Sequence, residues 1–335
     1  MNALPVAHRP PAVARSFDRI RAIGVAPLAG DAEQSERALL DALRPVVGSV
    51  WPEIAWRFGT LTATGYPVEL AWASRDAALR WTCEVAGPET PESSRLALAA
   101  EASGIDIRPW GDLQRGRRLR YGAWLGARHQ DGRRRSKVYL ELPAGPWDQA
   151  TRNQRGLAGL PGPVDLPAGP WAEAAHALAR AVADLHWRMA GLNDDGSVEL
   201  YARLADLTPL QLTAASRLVF ADDALRPVVR HLIGAPDADR TTPSGPAGLS
   251  LVLSPQGDPL AVTWFTIAKW AWGDDATARA AVLRTADLVG TADASRSLYE
   301  ALSSGPDDGR WRHGMVGAGI DLTGRLWLQA GLRPT

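Results

Sequence analysis

Three short stretches alternate aliphatic residues with residues able to do chemistry. In "SKVYLELP" Val138, Leu140 and Leu142 fall on one face of an extended chain, and Lys137, Tyr139 and Glu141 on the other. "SVELYARL" likewise sets Glu199, Tyr201 and Arg203 against Val198, Leu200 and Ala202, and "RLWLQAGL" sets Arg325, Trp327 and Gln329 against Leu326, Leu328 and Ala330. "RYGAWLGARHQDGRRRSK" adds Arg120, Trp124 and Arg128, and the same parity gives Arg57 and Glu69 further upstream. "AVTWFTI" is ambiguous, presenting either Thr263 and Phe265 or Trp264 and Thr266. A face that mixes cations with rings suits a ligand with both signs of charge. Guanidinium and ammonium groups bind a diphosphate through charge-assisted hydrogen bonds, and aromatic faces stabilise a carbocation. One polar face per strand also fits a sheet that simply looks at water. Its repetition over three strands, each with a large ring beside a cation, argues for an enclosed surface instead.

The elements that would position these residues recur five times. Alternating stretches broken by Gly, Asp or Asn read as hairpins at 53–74, 120–143, 185–204, 248–268 and 313–334. Helical spacing precedes each of them, as in "DAEQSERALLDALRPVVGSV" with Asp31 as its cap, "PESSRLALAAEASG" and "WAEAAHALARAVAD". This helix-hairpin cadence is the strongest signal in the chain. Ten antiparallel strands would curl and close, which predicts an α+β fold: a ten-stranded antiparallel barrel of five helix-hairpin repeats, helices outside and a cavity within. On this reading residues 1–335 form one domain with a flexible segment at 1–20. The alternative is two α+β domains divided at the Gly- and Pro-rich stretch 144–170.

Composition narrows the partners. Lys plus Arg equals Asp plus Glu at 37 each, so no global field draws the chain to nucleic acid or an anionic membrane, and any cationic site must be local. Cys83 is the only cysteine, which excludes an internal disulfide and a Cys-based zinc cluster. No segment approaches a membrane span and the first residues lack a signal-peptide run, so a cytoplasmic location is expected. Fourteen Trp against four Phe implies that some Trp line a cavity. High Ala, Arg, Gly and Trp usage suggests a GC-rich bacterial source.

The cadence, together with "TATGYPVELAWAS", "SKVYLELP", "SVELYARL" and "MVGAGIDLTGRLWLQAGLRP", resembles the aromatic prenyltransferases of the ABBA or dimethylallyltryptophan-synthase type over roughly residues 50–335. The resemblance implies ionisation of a dimethylallyl or geranyl diphosphate, attack by an electron-rich ring such as indole, and loss of a proton. It further implies a diphosphate site from Arg57, Arg128, Lys137, Arg203 and Arg325, cation-shielding and substrate contacts from Trp124, Tyr139, Tyr201, Trp327 and Gln329, and Glu69 as the carboxylate facing the acceptor. No obligatory cofactor or metal is implied, magnesium acting at most as a stimulant. The expected partners are the two substrates, not nucleic acid or membrane, for a monomer or homodimer. Tyr is scarce for this family, and a cyclase, another non-prenylating catalyst or a non-catalytic binding barrel are the alternatives.

Other signals have plainer readings. No DDxxD is present, "NDDGS" at 193–197 reads as a hairpin turn, and "ADDAL" and "GDDATA" read as helix starts. "GRRRS" reads as an exposed hairpin tip, and His129 and His313 as polar strand-end residues. "VGAGIDLTG" lies in a strand before a turn, where its small residues leave room inside the barrel rather than cradle a phosphate.

Overall fold

A computed structural model describes residues 10–47, 59–62, 65–142, 166, 169–182, 185–234, 247–305 and 311–334. Its strands are β1 (Val68–Ala73), β2 (Leu79–Glu84), β3 (Ala123–Gln130), β4 (Arg133–Glu141), β5 (His186–Asn193), β6 (Val198–Leu204), β7 (Ala247–Leu253), β8 (Pro259–Ile267), β9 (His313–Asp321) and β10 (Leu326–Leu332). Each pairs antiparallel with the next, and β10 returns to β1 with Leu70 opposite Leu332 and Trp72 opposite Ala330, closing the barrel. Pairing of β4 with β5, Tyr139 opposite Gly191, carries the sheet across 144–170 and excludes two separate open sheets.

The helices are α1 (Pro11–Ala22), α2 (Ala26–Ala42), α3 (Arg44–Val47), α4 (Glu92–Ser103), α5 (Arg108–Gln114), α6 (Ala172–Ala181), α7 (Pro209–Ser216), α8 (Leu225–Leu232), α9 (Ala268–Trp272), α10 (Asp275–Leu288) and α11 (Asp293–Ser303). They cover the outward strand residues, among them Val68, Leu70, Trp72, Trp81, Leu140 and Trp264, all buried. That contact removes an aliphatic or aromatic row from water along each strand and is the main source of stability. Trp72 also donates its indole N–H to the Ser295 carbonyl oxygen at 2.8 Å, fixing β1 to α11. Among the described residues no helix is long and apolar enough to cross a membrane.

Four sequence expectations need correction or completion. The first hairpin is β1–β2, displaced toward the C-terminus from 53–74, because "LRWTCE" is itself a strand with Trp81 and Cys83 outward. Asp31 sits inside α2 and caps no helix. Its carboxylate accepts the backbone N–H groups of Asp131 and Gly132 at 2.9 and 2.8 Å, holding the β3–β4 turn, where both residues have positive φ. The segment at 1–20 is not wholly flexible, since α1 buries Val13, Phe17 and Ile20. Finally, register places Thr263 and Phe265 inward, opposite Ser250 and Gly248, while Trp264 packs outward.

All five hairpin turns lie at one end of the barrel and the longer connections between hairpins at the other. A residue's position along its strand therefore tells which mouth it serves.

Candidate functional site

The barrel wall is thin where its rings are thick. Tyr139, Phe265 and Trp327 each lie across a glycine of the neighbouring strand: a Cβ on Gly126 would stand 2.8 Å from the Tyr139 ring, one on Gly248 2.1 Å from Phe265, and one on Gly319 2.3 Å from Trp327. The rings thus lie flat along the wall. Small residues in β9 make room for rings, and only through them for a ligand. Gly319→Ala is expected to destabilise the protein by about 1–3 kcal/mol through overpacking against Trp327. Thermal unfolding of Gly319→Ala, and of Gly319→Ala with Trp327→Leu, checks this; the second change should recover most of the loss.

Glu69, on β1 near the mouth opposite the hairpin turns, extends across Gly331 and Gly314, where added Cβ atoms would come within 2.5 and 2.7 Å of its carboxylate. That carboxylate has no hydrogen-bond partner among the described residues, and burial raises its pKa to about 7. It can accept an N–H or take a proton near neutral pH.

In the middle of the lumen Tyr139 and Tyr201 have ring centroids 6.1 Å apart, and Phe265 meets Tyr201 edge-on at 6.3 Å. Lys137 Nζ stands 4.8 Å from the Tyr139 centroid and 5.3 Å from that of Tyr201. It donates to Glu199 at 2.5 Å and to the Tyr201 hydroxyl at 2.9 Å. Burial alone would lower the Lys137 pKa and raise that of Glu199; their mutual charge reverses both. The pair is ionised.

Toward the hairpin turns three arginines gather about one carboxylate. Asp76 accepts from Arg80 at 2.7 Å and from Arg128 at 3.1 Å, and Arg75 lies 4.7 Å above the Trp327 ring. Burial would raise the Asp76 pKa, but Arg80, through charge and hydrogen bond, and Arg128 bring it down to about 2. Arg75 and Arg128 have lowered pKa values, from burial first and then from the neighbouring guanidiniums. Asp76 is the carboxylate that holds Arg80 and Arg128, while the Glu199 and Asp321 carboxylates also act on Arg75. Among the described residues no group of three or more His, Cys, Asp or Glu is placed to hold a metal ion.

No family model matches this chain, and no curated protein matches it in sequence. Its shape does match solved structures. 5-Dimethylallyl tryptophan synthase from Streptomyces coelicolor, in complex with DMASPP and Trp, superposes with a TM-score of 0.72 at 17% identity, covering 96% of this chain and 94% of that one. 6-Dimethylallyltryptophan synthase from Micromonospora olivasterospora, also with DMASPP and Trp, gives 0.69 at 17%, covering 96% of each chain. AnaPT from Neosartorya fischeri gives 0.65 at 14%, covering 96% of this chain and 92% of that one. The chain has the ABBA prenyltransferase fold.

Within this prenyltransferase barrel the expected site residues separate. Glu69, Arg128, Lys137, Tyr139, Tyr201 and Gln329 line the lumen, Gln329 opposite Gly317 and Ala73. Arg57 lies outside the described residues. Arg203, four residues beyond Glu199 and therefore about 13 Å along the strand, joins Arg120 and Arg188 beside Tyr121 at the other mouth, away from Arg128. Its place with Lys137 in one cluster is not what the structure shows. Arg325 is exposed in the β9–β10 turn, where it donates to the Arg75 carbonyl oxygen at 2.5 Å and so props that loop. Trp327 is only 2% exposed, covered by Arg75 and packed with Ala73 and Ala261 toward the hairpin end. Trp124 stacks on Tyr121 at 4.0 Å. Glu141 accepts backbone N–H groups of Arg120, Tyr121 and Gly122, stapling the chain entering β3.

Sequence reasoning missed Arg75, Asp76 and Arg80. The alternation of "LRWTCE" marks Arg80 as inward once that stretch is read as β2. Arg75 and Asp76 lie in a turn, where no periodicity marks direction.

Proposed function

We propose that the chain transfers a dimethylallyl or related prenyl group from an allylic diphosphate to an electron-rich aromatic acceptor, most simply an indole. The observation that carries this reading is the Glu69 carboxylate: desolvated, without a partner among the described residues, and reaching the same lumen as the ringed middle and the arginine cluster. The likeness in fold to synthases bound to DMASPP and Trp supports the choice of donor and acceptor.

In this mechanism Arg75, Arg80 and Arg128 hold the diphosphate as the allylic C–O bond breaks and its electron pair leaves with the phosphate oxygen. Tyr139, Tyr201 and Phe265 face the allylic cation, whose charge their rings stabilise. The acceptor's π electrons form the new C–C bond. Glu69 accepts the ring N–H during attack, orienting the nucleophile, and is the base within the lumen for the proton lost on rearomatisation. The arginines supply the positive charge a bound metal would otherwise provide, so no obligatory cofactor is required.

Incubation with dimethylallyl or geranyl diphosphate and a panel of tryptophan, indole peptides and phenols, with and without magnesium, should give a product heavier by one prenyl unit in mass spectrometry. Unchanged acceptors in every mixture would defeat the reading. Saturable aromatic binding without turnover would then favour a binding barrel, a use consistent with the two carboxylates, Asp76 and Glu199, that already occupy lumen cations.

A further inference from the structure

The lumen contains one basic residue that is fully engaged before any ligand arrives. Lys137 reaches Glu199 by crossing Gly191 on the strand between them, and a Cβ there would fall 2.2 Å from Lys137 Cε. Glu199 also accepts from Ser250 Oγ at 2.7 Å and is hydrogen-bonded by the Tyr201 hydroxyl. The Lys137 and Glu199 side chains are 16% and 15% exposed. Four consecutive strands, β4 to β7, thus contribute to a closed, satisfied ion pair.

A buried pair of this kind has the field of a dipole, which falls off faster than that of a lone ammonium. Breaking it to engage a phosphate would strand a buried carboxylate among two tyrosines and a serine, a costly rearrangement. The pair also lies where the Tyr139 and Tyr201 rings converge, so an unpaired ammonium there would repel a cation formed between those rings.

We infer that Glu199 is a specificity-determining residue: by neutralising Lys137 it confines anion binding to Arg75, Arg80 and Arg128 and keeps the ringed middle of the lumen free of net positive charge. The inference rests on the diphosphate reading of the arginine cluster and assigns the charge that the rest of the lumen accepts.

Calorimetric titration of the full chain with magnesium-free inorganic pyrophosphate tests it. Glu199→Gln should bind roughly tenfold tighter than the unaltered protein, because Lys137 becomes an available charge-assisted donor. Lys137→Met combined with Glu199→Leu removes both charges and leaves neither stranded; it should bind within about threefold of the unaltered protein. Equal or weaker binding by Glu199→Gln, with native near-ultraviolet circular dichroism, overturns the inference. If Glu199→Gln fails to fold, the double variant decides: unchanged affinity supports the inference, and a tenfold loss overturns it by showing that Lys137 already binds the anion. Arg80→Ala separates the two layers. If it weakens pyrophosphate while the Glu199 variants behave otherwise than expected, only the present inference falls; if it binds like the unaltered protein, the diphosphate reading falls with it.

Discussion

Glu69→Gln should reduce kcat/KM for prenyl transfer by roughly 10²- to 10⁴-fold, the range expected when a positioned acid or base is removed. Glutamine keeps the length and shape of the side chain over Gly331 and Gly314, so packing of the wall is preserved and the loss reports on the carboxylate. The accompanying pH profile is specific. With a pKa raised to about 7 by burial, the carboxylate form grows as pH rises, so the rate of the unaltered protein should climb through pH 7 to a plateau. In Glu69→Gln this ascent should vanish. Stability should move the opposite way: a carboxyl that binds its proton more tightly folded than unfolded makes the protein less stable as pH rises from about 4.5 toward 7. Glu69→Gln should consequently be more stable than the unaltered protein at pH 8, by on the order of 3 kcal/mol, and indistinguishable from it near pH 4. Thermal unfolding at the two pH values checks this. Loss of activity with a retained pH ascent would assign the base to another group.

Arg80→Ala should weaken pyrophosphate binding about 10- to 100-fold, the worth of a charge-assisted, geometrically fixed contact. Arg80 is held by Asp76, which also holds Arg128, so two guanidiniums share one organiser. Removing Arg80 subtracts a charge and also leaves Arg128 less well oriented. Arg80→Lys restores the charge but not the planar fork, and should recover only part of the affinity. Titration at two salt concentrations adds a second readout, since the Arg80→Ala loss should be larger at low salt. Arg325→Ala should have a smaller effect, because Arg325 props the Arg75 backbone from an exposed turn.

The sequence carried the fold well because its evidence is periodic. Val138, Leu140 and Leu142 face the helices, and Lys137, Tyr139 and Glu141 face inward, as alternation requires. Five hairpins separated by helix then leave few ways to bury all the aliphatic rows, and closure is the simplest. The misplaced first hairpin arose because "TLTATGYPVEL" carries turn residues that suit a hairpin loop, whereas the turn that is used, Ser74–Ala78, has no glycine or asparagine to mark it. The site was less legible. Parity tells which wall a side chain leaves, but not how far along the barrel it acts or what neutralises it. Arg203 and Lys137 share an inward parity, yet Arg203 lies at one mouth and Lys137 in the middle of the lumen. Glu199 lies in the same alternating row as Tyr201, but its bond to Lys137 crosses an intervening strand and depends on Gly191, a glycine that sequence alone would give to a turn or a bulge.

Closure through β1 and β10 has a consequence for how the molecule is made. Each of the other nine pairings joins strands that are neighbours in the chain and can form as the polypeptide emerges. The seam of Leu70 with Leu332 and Trp72 with Ala330 cannot form until the last strand has been synthesised. Until then β1 waits with one edge unpaired, a template for pairing with another nascent chain. The residue that completes the wall beneath Glu69, Gly331, arrives on that last strand. The Glu69 end of the lumen is therefore complete only once β10 has been made, and a chain folded only as far as β9 does not possess it.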